Sequence, residues 1–466
     1  MMRRMSWFSG FAMVLGLTVS AGAQELCGDD CSACGSSECA DAECADAGCA
    51  DAGCVEEGCF DSCCNNGYLH RWDDCKWVKL GVGLRTSFRS REGAGFGGSH
   101  DNDFNVDNAR IYLSGQGHPL IGFELNTDIN NAQGWDIHNN AFGGESLVAG
   151  EMRILDAVIK LKLTDDINLW AGRFLPPSDR SNLSGPFYLN AWLFPYTQFG
   201  YNNIFQGRDD GAALWGQTGE GAFKWQIGLF DGENSGAPFP IGHPRNDSLM
   251  VCGRVVANLL DPEPGYYNQS TYYGEKDILA LGASFMHRPD AMIGPAGFPT
   301  TSDYTAWNLD FLFEQQLENC GVVSLEAAYY DFDDHGGTAA SGGPVQNPTS
   351  IFGDFANRQG TSWFALASYL CPNNVKIGNL CGRFQVMTRY QQYDHDAVAF
   401  AAGGRSDQLD FQINYIMEGH NARLTALWTT HDSAAGPGGN NNDTQGGFRG
   451  DRSNLDAFIL AAQVQY

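Results

Sequence analysis

From Trp77 onward the chain repeats one pattern, a stretch of alternating polarity followed by a turn. In IGFELNTDIN, Ile121, Phe123, Leu125, Thr127 and Ile129 fall on one face, and Gly122, Glu124, Asn126, Asp128 and Asn130 on the other. Successive side chains of a strand point to opposite faces, so this segment has one apolar wall and one polar wall. KWVKLGVGLRTSF repeats it, with Val78, Leu80, Val82, Leu84, Thr86 and Phe88 set against Lys79, Gly81, Gly83, Arg85 and Ser87. SDQLDFQINYIMEG does the same with Leu409, Phe411, Ile413 and Tyr415 against Gln408, Asp410, Gln412 and Asn414.

Read in this way, the sequence predicts strands at 76–88, 104–116, 120–130, 154–164, 166–174, 208–218, 222–231, 249–260, 277–288, 304–315, 321–331, 361–371, 381–392, 407–418, 421–431 and 455–466. A soluble sandwich also alternates, so loop lengths must discriminate. Gly117-His118-Pro119, Asp165-Asp166, Gly219-Glu220-Gly221 and Gly419-His420 leave room only for tight turns, whereas 131–153, 175–207, 332–360 and 432–454 are long. Short turns at one end and long loops at the other are the pattern of an outer-membrane barrel. Segment 261–276 breaks the pattern, being long where a short turn is expected. The fold class expected is all-β: a sixteen-stranded antiparallel transmembrane β-barrel behind a disordered, cysteine-rich N-terminal segment. An even strand count fits a closed barrel, which leaves no edge in lipid. The chain end agrees, since NLDAFILAAQVQY places Phe458, Leu460, Ala462, Val464 and Tyr466 on one face.

The first residues are of another kind. MMRRMSWFSGFAMVLGLTVSAGA has a basic start, a short apolar stretch and Ala21-Gly22-Ala23. This reads as a signal peptide over 1–23, and no lipid anchor is expected at Cys27. Residues 24–75 hold eleven of the fifteen cysteines and thirteen acids, with few large apolar residues before Tyr68. Cys34, Cys39, Cys44, Cys49, Cys54 and Cys59 recur at every fifth position. Such a composition cannot bury a core. A five-residue period turns each cysteine about 140° further round a helix and alternates sides of a strand, so the thiols point all round the chain. In a periplasmic segment three readings stay open: internal disulfides, metal capture, and cross-links to other chains or to another envelope protein. The domain boundaries expected are 1–23, 24–75 and 76–466.

LWAGRFLPP at 169–177, GRDDGAALWG at 207–216, FKWQIGLFDGEN at 223–234 and NYIMEGHNARLTALW at 414–428 resemble segments of the phosphate-selective porin O and P family. The resemblance covers about 76–466 and not the cysteine segment. It implies a sixteen-stranded outer-membrane channel, usually a homotrimer, constricted by loops folded inward. The family's loop lysine is missing, because the turn reads Gly172-Arg173-Phe174-Leu175 and 175–207 holds Arg180 and no lysine.

Charge bears on the solute. Over the whole chain the formal net charge is -27, and from residue 76 there are 25 basic and 42 acidic residues. Candidate pore-lining groups on the polar faces are Arg85, Arg110, Lys160, Lys162, Arg254, Arg389 and Arg423, with Glu124, Asp128, Asp310, Glu314 and Asp410. A bound anion must trade water for fixed Arg or Lys donors, so this mixed set favours passive diffusion of small polar solutes or ions over dedicated phosphate transport. A phosphate- or anion-selective channel is the alternative, and a structural or adhesive surface barrel a further one. The loop 175–207 carries Arg180, Phe187, Tyr188, Trp192, Phe194 and Tyr196, and that much apolar surface is expected to fold into the lumen as a constriction; packing on a neighbouring subunit is the alternative. Cys371 and Cys381 flank one turn and are candidates for a disulfide. No GxSxG motif or nucleophile–histidine pairing is present, so no enzyme is expected. No cofactor, metal or nucleic-acid partner is expected; the partners expected are outer-membrane lipid, small polar solutes or anions, and further copies of the chain.

Overall fold

The computed structural model describes residues 68–73, 76–92, 100–129, 152–200, 207–232, 248–293, 301–333, 345–346, 355–356, 359–396, 404–433 and 452–466. Its strands, in chain order, are β1 (Tyr68–Asp73), β2 (Lys76–Arg91), β3 (Asp101–His118), β4 (Ile121–Ile129), β5 (Met152–Lys162), β6 (Ile167–Phe174) and β7 (Asp209–Thr218). They continue with β8 (Phe223–Phe230), β9 (Met250–Asn258), β10 (Ile278–Ile293), β11 (Thr301–Gln316), β12 (Val322–Asp333), β13 (Val345–Gln346) and β14 (Phe355–Ala356). The last are β15 (Gly360–Leu370), β16 (Val375–Ile377), β17 (Leu380–His395), β18 (Gly404–Glu418), β19 (Ala422–Ser433) and β20 (Arg452–Gln465).

Sixteen of these, β2 to β12, β15 and β17 to β20, form a closed antiparallel cylinder. Each pairs with its chain neighbour, and β2 closes the ring by pairing with both β3 and β20. Closure satisfies every ladder and removes the edge. The predicted strands are all present, and several run further at the loop end; β10 reaches Ile293 and β11 starts at Thr301.

The alternation read from the sequence is realised as an apolar exterior and a polar interior. Leu80, Val82 and Leu84 on β2, Leu281 and Phe285 on β10, and Leu424 and Trp428 on β19 are exposed on the outside. Arg85, Asn108, Asp310, Arg389, Asp410 and Gln412 are buried inside. Two bulges shift the parity. Arg85 pairs with Asn108 and Thr86 with Val106, which leaves Asp107 extra; Asn126 pairs with Asp156 and Thr127 with Ile154, which leaves Leu155 extra. Phe104 and Val106 face outward before the first bulge, and Ile111 after it. Each extra residue turns the rest of its strand to the other face.

The short connections and the C-terminus lie at one end, here the turn end; the long connections lie at the other, the loop end. β1 pairs with Lys76–Lys79 of β2, just beyond the last β20 rung at Gly83↔Gln465. The chain therefore joins the barrel at the turn-end rim. Cys34, Cys39, Cys44, Cys49, Cys54 and Cys59 lie outside the described residues. The Cys371–Cys381 bridge is not formed. The ladder runs on past Leu370↔Gln385, and the Cys371 amide bonds to the Phe384 carbonyl, while Cys381 pairs with Lys376 of β16. Three residues of offset along a strand separate the two Cα atoms by about 10 Å, beyond the reach of a disulfide.

Candidate functional site

The lumen is crossed by residues 175–200 of the connection between β6 and β7. Its root is clasped by the two motifs that flank it: Arg173 of GRF donates to both oxygens of Asp210 of GRDDG, at 2.6 and 2.7 Å. Pro176 and Pro177 follow, then Asp179 caps a one-turn helix α1 (Arg180–Ser184), accepting from the Ser181 and Asn182 amides at 3.1 and 3.4 Å. An Asp at this position satisfies the orphan amides of the first turn. Gly185, at φ 68°, ends the helix in the left-handed region that favours glycine.

Beyond α1 the segment is fixed to the far wall by side chains of six strands. Asn190 donates to Ser368 on β15 (2.9 Å), and the Trp192 amide to Gln412 on β18 (2.8 Å). The Tyr196 amide bonds to Gln391 on β17 (3.0 Å) and the Tyr196 hydroxyl to the Ser406 carbonyl on β18 (2.7 Å). Arg389 on β17 reaches the Leu193 carbonyl (2.9 Å), Arg423 on β19 the Leu189 carbonyl (2.9 Å), and Gln463 on β20 the Phe187 carbonyl (3.0 Å). The Asp179 carboxylate accepts from Tyr330 on β12 (2.9 Å), and the Trp192 carbonyl from Arg85 on β2 (2.5 Å). Amide-bearing residues at inward positions thus hold a backbone that water would otherwise have to solvate. Of the loop residues singled out in the sequence, Arg180, Phe187, Trp192 and Tyr196 are buried within the barrel, Phe194 is half-buried, and Tyr188 packs its ring on His420 at 4.9 Å.

The charged wall is mostly paired. Arg110 bonds Asp128 at 2.6 Å, Arg389 bonds Asp410 at 2.8 Å, and Lys160 bonds Glu124 while lying 4.1 Å over the Trp170 ring. Arg254 on β9 reaches Asp310 on β11 at 2.5 and 2.8 Å, across β10. Gly282 makes that possible, since a Cβ there would sit 2.3 Å from Asp310 Oδ1 and 2.6 Å from Arg254 Nη2. Lys162 is different: it is half exposed at the turn end and pairs with Asp165 at 2.8 Å. Arg85 and Arg423 have no carboxylate partner among the described residues. Arg85 stacks 3.8 Å from the centre of the Trp192 ring and Arg423 lies 5.4 Å from it. Nε of both and Nη2 of Arg423 are buried without a hydrogen-bond partner.

Sequence reasoning did not single out Arg89, Asp107 or Arg208, which form the pairs Arg89–Asp107 and Arg208–Asp156, or the role of the odd segment at the turn end. Glu314 is not a bare wall carboxylate: it accepts from the Thr271 hydroxyl (2.7 Å) and the Tyr272 and Gly274 amides (2.9 and 3.0 Å) of that segment. Its length was the one signal that could have found it.

No protein-family model and no curated protein sequence matches this chain. Among solved structures, the anion-selective porin from Comamonas acidovorans superposes with a TM-score of 0.50 at 13% identity, covering 84% of this chain and 100% of that one. OprB of Pseudomonas putida gives a TM-score of 0.51 at 11% identity, covering 84% of this chain and 94% of that one. At such identities the likeness is one of fold: a porin-type barrel.

Proposed function

We propose that this protein is an outer-membrane porin that passes small hydrophilic solutes or ions by passive diffusion. The observation that carries this reading is the inside-out cylinder: an apolar outer face over a lumen of largely paired charges, into which the β6–β7 connection folds. A continuous apolar exterior of that kind is stable in lipid and not in water. A solute inside exchanges part of its hydration for fixed Arg, Asp, Gln and Asn groups, none of which is dedicated to one ion. Segment 175–207 is the constriction, because its described residues 175–200 are bonded to the far wall. The motif resemblance to the phosphate-selective O and P family supports the architecture and a trimer, while the missing loop lysine and the paired wall favour weak selectivity. A second reading, anion preference, is favoured by Arg85 and Arg423, two guanidinium groups beside one ring with no carboxylate partner among the described residues. Entry of the chain at the turn-end rim supports a periplasmic leader, and the five-residue cysteine repeat fits a disulfide tether to other envelope chains.

The test is reconstitution of the purified protein in planar lipid bilayers. Discrete ohmic steps and a small reversal potential in a chloride gradient are expected. A sealed bilayer would contradict the channel, and strong block at micromolar phosphate would contradict the general-diffusion reading.

A further inference from the structure

The β9–β10 connection, residues 259–277, lies at the turn end, where its neighbours are short: 119–120 between β3 and β4, 219–222 between β7 and β8, and 419–421 between β18 and β19. It does not hang from the rim. Glu263, Tyr266, Ser270, Thr271 and Tyr273 are buried. On one side of the bore Tyr266 stacks on Trp170 of β6 at 4.7 Å, and its carbonyl accepts from Gln226 of β8 at 2.7 Å. On the other side the Tyr273 carbonyl accepts from Arg383 of β17 at 3.3 Å, and His420, in the β18–β19 turn, faces the Thr271 carbonyl at 2.9 Å. The connection thus runs across the turn-end mouth from one wall to the other.

It also meets the inward segment from the opposite end. Arg180 donates to both carboxylate oxygens of Glu263, at 2.8 and 2.6 Å, and to the Gln269 carbonyl at 2.7 Å. Asn268 donates to the Arg180 carbonyl at 3.0 Å, and the Ser270 amide to the Tyr188 carbonyl at 3.1 Å. A bidentate guanidinium–carboxylate pair fixes orientation as well as distance. Two segments that enter from opposite ends are therefore clasped into one body inside the barrel.

We infer that residues 259–277 are a second constriction at the turn-end mouth, in series with segment 175–207 and clasped to it by Arg180 and Glu263. The inference rests on the channel reading and adds a size-limiting element on the side away from the long loops. Series restrictions add their resistances, so removal of one leaves the other in control.

Single-channel conductance of four full-length proteins tests this: the parent, one with 264–272 replaced by a short Gly-Ser linker, one lacking 185–200, and one with both changes. If the two constrictions are comparable, the linker protein conducts about twice as well as the parent, and the double variant exceeds either single one. Parental conductance in the linker protein, alongside a rise on loss of 185–200, would overturn the inference and leave the porin intact. Silence of all four would overturn the porin reading and this inference with it. Resistance of the barrel to SDS before heating reports folding. Should the linker protein not fold, Glu263→Gln is expected to raise conductance while keeping the backbone contacts, and parental conductance in that variant would count against the inference.

Discussion

Arg180, on the segment that enters from the loop end, and Glu263, on the connection that enters from the turn end, form a buried bidentate pair at 2.8 and 2.6 Å. Removing Glu263 takes away the bidentate partner of Arg180 and leaves the buried guanidinium with Asp310 at 4.0 Å. Glu263→Ala is expected to destabilise the docked segments by roughly 3–5 kcal/mol. The readout is proteolytic nicking within 175–207 and a lower unfolding temperature, with the barrel strands intact. Parental protease resistance would show that the pair does not hold the two segments.

The same contact region predicts a pH dependence. Burial pushes the His420 imidazole down to about 4 from its ordinary 6.5, the Thr271 and Phe187 carbonyls pulling the other way and the Arg423 charge reinforcing the shift. A depressed histidine contributes its stability above pH 6.5, and that contribution fades as pH falls toward 4. Glu263 behaves differently: burial raises it, but the Arg180 charge and hydrogen bonds outweigh burial and hold it at about 2. Its contribution is present above the ordinary carboxylate range and is lost only as pH falls toward 2. Conductance should therefore rise between pH 6.5 and 4 through His420, with the clasp still charged. His420→Asn should flatten that step, and a step unchanged by this substitution would remove His420 from the account.

Arg85 and Arg423 flank the Trp192 ring without carboxylate partners among the described residues. Arg423→Gln is expected to move the reversal potential toward cation preference, whereas Lys162→Gln, at the half-exposed turn end, is expected to leave it where it was. Equal shifts from both would mean that the pair near Trp192 has no special weight.

Gly282 lies beneath the Arg254–Asp310 pair. Gly282→Val should force those side chains apart and lower stability by about 1–3 kcal/mol, the usual cost of overpacking. Thermal unfolding of the refolded barrel measures this; a neutral result would show that the pair can shift sideways at little cost.

Much of this barrel was legible because each of its strands must be apolar on one face and polar on the other. Ile121 to Ile129 and Leu409 to Tyr415 carry that rule without help from the rest of the chain. The tight turns and long loops gave the two ends. What stayed hidden depends on partners far apart in sequence. Nothing near Glu263 announces Arg180, and the length of 261–276 marked an exception without saying that it turns inward. The Cys371–Cys381 bridge failed for a related reason: two cysteines flanking a turn look adjacent, but the ladder continues past Leu370 and sets Phe384, not Cys381, beside Cys371. The bulges at Asp107 and Leu155 were equally silent, because an extra residue changes register without changing composition.

The leader can be tested apart from the pore. If the cysteine repeat is a tether, envelopes extracted without reductant should hold the protein in high-mass species that collapse on reduction. A version lacking 27–64 should extract without them and conduct normally. A full-length protein with no reductant-sensitive species larger than one chain would end the tether reading.

A polar lumen narrowed by segment 175–207 should conduct. Single-channel recording of the parent beside a variant lacking 185–200 decides this. Discrete steps are expected from the parent and larger steps from the variant; a parent that never conducts, or a variant with steps of unchanged size, would show that the segment does not narrow a conducting pore.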